Sequence, residues 1–194
     1  MGNIGSVVNM LNRLNIQNKI IKTSKEIESV NKLILPGVGH FGNAMINLRK
    51  NDLEIGIKEN AKRENFHLMG ICLGMQLLAN FSEEGDAMGL GIIDGIVQKF
   101  DNLKDNLKVP HMGWNTVEFK EDPIISSELY SFSKFYFVHS YYFNTAKKDN
   151  ILGETEYGIQ FTSAVKSDNI YGFQFHPEKS HIYGMQIFKQ FSAL

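Results

Sequence analysis

Apolar positions along this chain change period part-way through. Val7, Met10, Leu11 and Leu14 recur at i, i+3, i+4 and i+7 and predict a first amphipathic helix. Ile20-Ile21 reads as a short strand after it, Leu33-Ile34-Leu35 as another, and the stretches Phe41 to Arg49 and Leu53 to Lys62 as helices. Leu68, Met69 and Ile71 form a buried-strand pattern that passes at once into Leu73, Gln76, Leu77 and Leu78, spaced for a helix. Beyond Gly91 the second half is mostly strand, with runs at Ile96 to Phe100, Thr116 to Phe119, Phe135 to Phe143, Ile159 to Val165 and Ile170 to Phe175. Ile182, Met185, Phe188 and Phe191 return to helical spacing and close the chain as a core-facing stripe. The alternation of strands and helices in the first half predicts an α/β fold, a mixed, mostly parallel central sheet flanked by helices. No repeat, linker or low-complexity tract divides residues 1–194, so they read as a single domain.

Composition narrows the class. A chain of 194 residues with 43% hydrophobic content can bury a sizeable core and is not a disordered protein. A lone cysteine forms no internal disulfide, which points to a reducing, cytoplasmic setting. Uninterrupted apolar runs reach only about four residues, as in Phe135-Tyr136-Phe137-Val138, so no membrane-spanning helix is expected, and the N-terminus lacks the apolar region of a secretory signal. A net charge of −1 gives no electrostatic case for a nucleic-acid partner or an anionic membrane. The six histidines are scattered and form no metal motif. Gly37-Val38-Gly39 lacks the Gly-Lys-Ser/Thr of a phosphate loop, and no cofactor is expected.

The candidate chemistry centres on the one thiol. Cys72 stands in Gly70-Ile71-Cys72-Leu73-Gly74-Met75-Gln76, between a strand and a helix. Such a junction forces the apical residue into a strained backbone conformation, and glycines two before and two after relieve the crowding. With 17 glycines in 194 residues, both flanks would be glycine by chance in about 1 case in 100. A thiol at a helix N-terminus is enriched in its reactive thiolate, whereas a free cysteine elsewhere is more often a small buried hydrophobe. A hundred residues on, Gln174-Phe175-His176-Pro177-Glu178-Lys179-Ser180 places His176 at the end of a strand that Pro177 stops. Glu178 can fold back to accept the second ring N–H, which makes Cys72, His176 and Glu178 a nucleophile, a base and its orienting group. Alone, His176 would read as a core histidine and Glu178 as a surface charge. The loop Pro36-Gly37-Val38-Gly39 leaves backbone N–H groups unshielded, as an oxyanion site needs.

On these residues the chain resembles the class I (triad) glutamine amidotransferases. The resemblance also includes Gly2-Asn3-Ile4-Gly5-Ser6-Val7, Pro110-His111-Met112-Gly113-Trp114-Asn115 and His139-Ser140-Tyr141-Tyr142, and it runs over nearly the whole length. It implies a flavodoxin-like fold and hydrolysis of glutamine to glutamate and ammonia through a γ-glutamyl thioester. By the same resemblance, Gly37, Val38, Gly39 and Leu73 hold the oxyanion, while Gln76, His139, Ser140 and Tyr141 bind glutamine. Met112, Trp114, Asn115 and Lys179 would face a synthase partner, a cyclase of (β/α)8-barrel type, in a heterodimer. The implied ammonia acceptor lies in histidine biosynthesis, and the alternative is amidation of a sugar for surface polysaccharide. From another class, a cysteine peptidase on a similar elbow fold stays open. Two further readings belong to single residues. His139 shares a strand face with Phe135 and Phe137, as a packed core residue would, and tryptophans like Trp114 are more often core than interface. One departure stands out. The family fold opens with a hydrophobic strand ahead of the Met1-Gly2-Asn3 position, and this first strand is absent from the chain. Its absence is expected to leave an open slot in the sheet and a strand edge prone to association.

Overall fold

The computed structural model describes residues 4–101, 107–129 and 133–194. Gly2 and Asn3 of the opening motif lie outside these. In chain order the helices are α1 Ile4–Arg13, α2 Ser24–Glu28, α3 Phe41–Lys50, α4 Leu53–Asn60, α5 Leu73–Gln76 and α6 His181–Ala193. Early strands are β1 Lys32–Gly37, β2 His67–Cys72, β3 Phe81–Ser82, β4 Ala87–Met88 and β5 Gly95–Lys99. They are followed by β6 His111–Thr116, β7 Glu118–Phe119, β8 Lys134–His139, β9 Tyr141–Thr145, β10 Ile151–Glu156, β11 Gln160–Ser167 and β12 Ile170–Phe173.

The main sheet runs β1-β2-β12-β11-β9-β5-β3-β4, with β10 attached to β11 and β7 to β10. It is mixed and helix-covered, as the periodicity anticipated. The expectation of mostly parallel pairing is corrected: among the described residues parallel pairing is confined to β1–β2, β2–β12 and β3–β5 and the other pairs are antiparallel, because the second half returns through short connections that reverse the chain. Leu68 and Met69 of β2 point to opposite faces and seed two cores. One gathers α1 (Val7, Met10, Leu11) and α6 (Ile187, Phe188, Phe191) with Met69 and Ile71. The other packs α2, α3 and α4 through Ile27, Phe41, Met45 and Ile57 against Leu68. Full burial of one such side chain contributes about 1.5–3 kcal/mol.

Three of the expected segments take another form, and α2, β3, β4 and β10 were not expected. The run Phe135 to Phe143 is two strands broken at Ser140. β8 pairs with β6 in a separate two-stranded sheet, and β9 joins the main sheet, so a single apolar alternation serves both. Thr116 to Phe119 is likewise broken at Val117. Ile20-Ile21 forms no strand. Across from it, β1 pairs only with β2 among the described residues, and an apolar groove of about 610 Å³ runs beside β1 between Val7, Leu11, Ile21, Leu33, Leu35 and Phe188.

Candidate active site

The parallel centre of the sheet sets the site, because β2 and β12 end side by side. Cys72 closes β2 with φ 54° and ψ −111°, a strained conformation for a non-glycine residue and the one an elbow demands. The flanking glycines are required by close approach. A Cβ on Gly74 would stand 1.7 Å from the Leu35 carbonyl oxygen, and one on Gly70 would stand 2.6 Å from the Gly74 carbonyl oxygen. The helix that follows, α5, is a single turn, so the expected helix dipole reduces here to the N–H groups of that turn.

His176 lies three residues beyond the end of β12, after Gln174 and Phe175. Its backbone N–H donates to the Tyr136 carbonyl at 2.9 Å, and the Ser180 hydroxyl ties the two segments by accepting from Tyr136 N–H and donating to the His176 carbonyl. Pro177 opens the short turn that brings Glu178 back, with Oε1 2.8 Å from His176 Nδ1. Both side chains are 2% exposed. Nδ1 therefore donates to the carboxylate, while Nε2 is buried without a hydrogen-bond partner in the protein. Burial pulls this imidazole down, but Cys72 and then Glu178 outweigh it and raise it to about 9. A proton held on His176 beside the sulfur favours the imidazolium–thiolate form.

A pocket of about 310 Å³ opens over the sulfur, at the small end of ligand sites. Val38, Gly39, Leu73, Gln76, His139, Ser140 and Tyr141 line it together with Cys72 and His176, as the sequence reading anticipated. Gly39 has φ 100°, a backbone that L side chains rarely adopt. Gly37 lies below the pocket, where a Cβ would meet Gly74 N and Leu73 Cβ at 2.9 Å each. The reading missed Glu84, Pro110 and Val138, which also line the pocket. Glu84 follows the elbow by twelve residues and accepts from Phe41 N–H at 2.8 Å, which anchors the start of α3 just beyond the glycine loop.

Behind the pocket wall lies a buried polar chain. His139 Nδ1 is 2.7 Å from the Tyr141 carbonyl and must donate to it, so Nε2 is an acceptor. His111 Nδ1 then donates to that Nε2 at 3.0 Å, and His111 Nε2 accepts from Asn115 Nδ2 at 3.2 Å. Both rings are thereby neutral with a fixed tautomer. Burial lowers His139 to about 3 and His111 to about 4. The rings pack among Phe100, Phe137, Tyr157 and Phe161.

Of the residues expected to face a partner, Met112 and Trp114 are exposed on β6, at 62% and 46%. Lys179 is exposed too, with Nζ 5.6 Å over the Tyr136 ring, and Tyr136 packs edge-on to Trp114. Asn115 is on the other side of the strand, its amide turned inward to His111 and the Glu156 carbonyl. Among the described residues no group of three His, Cys, Asp or Glu side chains is arranged to hold a metal ion, and no helix is long and apolar enough to cross a membrane.

A strained strand–helix apex bearing a thiol, an imidazole beside it and a carboxylate behind define a site of the cysteine-dependent acyl-transfer type. The chain belongs to the class-I glutamine amidotransferase family, whose model matches residues 1–193. It is 48% identical over 191 residues to imidazole glycerol phosphate synthase subunit HisH 2 of Methanococcus maripaludis, covering 98% of this chain and 94% of that one. The protein of the same name from Pseudomonas aeruginosa is 48% identical over 194 residues, 100% of this chain and 96% of its own length. Among solved structures, a glutamine amidotransferase superposes with a TM-score of 0.74 at 18% identity, covering 100% of this chain and 95% of that one.

Proposed function

We propose that this chain is the glutaminase subunit of an imidazole glycerol phosphate synthase, a single amidotransferase domain that hydrolyses glutamine and passes the ammonia to a cyclase partner of (β/α)8-barrel type. The observation that carries the reading is the Cys72, His176, Glu178 arrangement at the floor of a pocket sized for one amino acid, in a chain 48% identical over its whole length to subunits of that name. The Cys72 thiolate attacks the side-chain amide carbon of glutamine, and the carbonyl π electrons move to oxygen. Backbone N–H groups of Leu73 and of the Val38-Gly39 loop receive that charge. Collapse expels the amide nitrogen, which takes the proton from His176 Nε2 and leaves as ammonia. Water then gives its proton to Nε2 and attacks the thioester, releasing glutamate and the thiolate. Glu178 keeps the ring in one tautomer and offsets its charge throughout. Glu84 offers a carboxylate to the substrate's α-ammonium, with Gln76 and the 139–141 segment around the rest of the amino acid.

Met112, Trp114 and Lys179 form the surface on which the partner docks. A reducing cytoplasm suits an enzyme whose one thiol is its nucleophile. The second reading is ammonia supply for amidation of a surface sugar. The glutaminase site serves either acceptor. Cys72→Ala should abolish glutamine hydrolysis and glutamine-dependent synthesis with the cyclase, while synthesis from added ammonia persists. Glutamate release by the alanine variant would overturn the assignment of the nucleophile.

A further inference from the structure

The buried amides beside the sulfur carry a direction that the triad does not use. Gln76 Nε2 lies 3.0 Å from the Tyr141 carbonyl and 2.9 Å from Gln174 Oε1, so both of its N–H bonds are committed to acceptors. The Tyr141 carbonyl also accepts from His139 Nδ1, which holds it in place as an acceptor. Turning the Gln76 amide over would set its oxygen against that carbonyl. With Oε1 of Gln174 occupied by Gln76, its Nε2 must point the other way, and it does: it stands 3.7 Å from Cys72 Sγ, on a side chain with no exposed surface. A fully buried N–H aimed at a thiol is a desolvated donor. It gains most when the sulfur is negative, since hydrogen bonds to charged groups are about twice as strong as neutral ones.

The geometry points to Gln174 as a further catalytic residue, one that donates a hydrogen bond to the Cys72 thiolate and, together with His176, keeps the nucleophile ionised before substrate arrives. The inference rests on the reading of Cys72 as nucleophile but concerns the resting thiol. The donor's direction is set by the chain Tyr141, Gln76, Gln174, so the state of the sulfur depends on residues from three separate segments. The other titratable groups facing the sulfur's pocket are His176, His139, Tyr141 and Glu84, with Glu178 behind His176.

Cys72 is the only thiol in the chain, so alkylation by iodoacetamide reads this sulfur alone. In Gln174→Leu the midpoint of the pH–rate profile should move up by about one unit, so that the rate at pH values below the parent's midpoint should fall about tenfold, with the ceiling rate at high pH unchanged. Gln174→Glu, which turns an acceptor toward the sulfur, should fall at least as far. A purely structural role would lower the melting temperature and leave the profile in place; a Gln174→Leu profile that superimposes on the parent's overturns the proposal. The unsubstituted protein gives an independent reading that needs no variant to fold. The Gln174 side-chain amide resonance should move with pH in step with the alkylation midpoint and stop moving once Cys72 is carbamidomethylated, and an amide indifferent to both refutes the contact. Absence of glutamine hydrolysis by the parent would defeat the proposed function without touching this result.

Discussion

Moderate acid should loosen this fold through two buried histidines, His139 and His111. His139 and His111 are held neutral in the folded chain, at about 3 and about 4, against an ordinary 6.5. Their folded values are depressed, so the stability they supply is complete above 6.5 and is lost as pH falls toward 4 and 3. Between pH 7 and 5 the unfolded rings take up a proton and the folded ones do not, which costs about 2 kcal/mol at His139. His111, held at about 4, also stays neutral in the folded chain over most of this interval and adds a loss of the same sign. His176 acts in the opposite sense. Raised to about 9, it supplies stability that is complete below 6.5 and is lost as pH rises through 9, and it returns about 1 kcal/mol over the same interval. Carboxylates with ordinary values near 4 barely titrate there. The net loss of about 2–3 kcal/mol is a large share of a typical 5–15 kcal/mol. Urea unfolding at pH 7 and pH 5 measures it, and imidazole C–H resonances identify the residues. Equal unfolding free energies at the two pH values, or a His139 ring that titrates near 6.5, would refute the neutral, fixed-tautomer chain.

Two further outcomes follow from the site and the exposed face. His176→Ala should lose several orders of magnitude in glutamine turnover and Glu178→Gln less, because an orienting carboxylate acts through the imidazole; trapping of the labelled γ-glutamyl thioester measures both, and a His176→Ala variant at parental rate would remove the triad. Trp114→Ala should weaken association with the cyclase by about 2 kcal/mol or more in titration calorimetry, and an unchanged dissociation constant would free this face from any docking role.

Much of the site was legible because its logic is local. Gly70 and Gly74 sit two residues either side of Cys72, and the clash each relieves arises within the same turn and its neighbouring strand. Glu178 reaches His176 across one proline, a distance that spacing alone fixes. Glu84, His111 and Gln174 carry no such signature. Their partners lie 43, 28 and 98 residues away along the chain, and only the packing of strands from different parts of the sequence brings them together. The fold shows the same divide. The strand-to-helix alternation of the first half was readable from period, whereas Ser140 splits one apolar run between two sheets because pairing, not side-chain alternation, decides where a strand belongs. β10 escaped notice since Gly153 and a bulged register interrupt its pattern. Ile20-Ile21 has strand composition without a partner, and β-propensity expresses itself only through pairing.

Trp114 is the single tryptophan of the chain, and its indole lies flat on His181, with ring centroids 5.2 Å apart and planes 3° from parallel. Its intrinsic fluorescence therefore originates at one place, the junction of β6 with the start of α6. Emission there answers to the opening of that stack and to anything that covers it. The face thus comes with its own optical reporter, able to follow docking in real time without an attached dye and leaving the one thiol free for a second, chemically independent label.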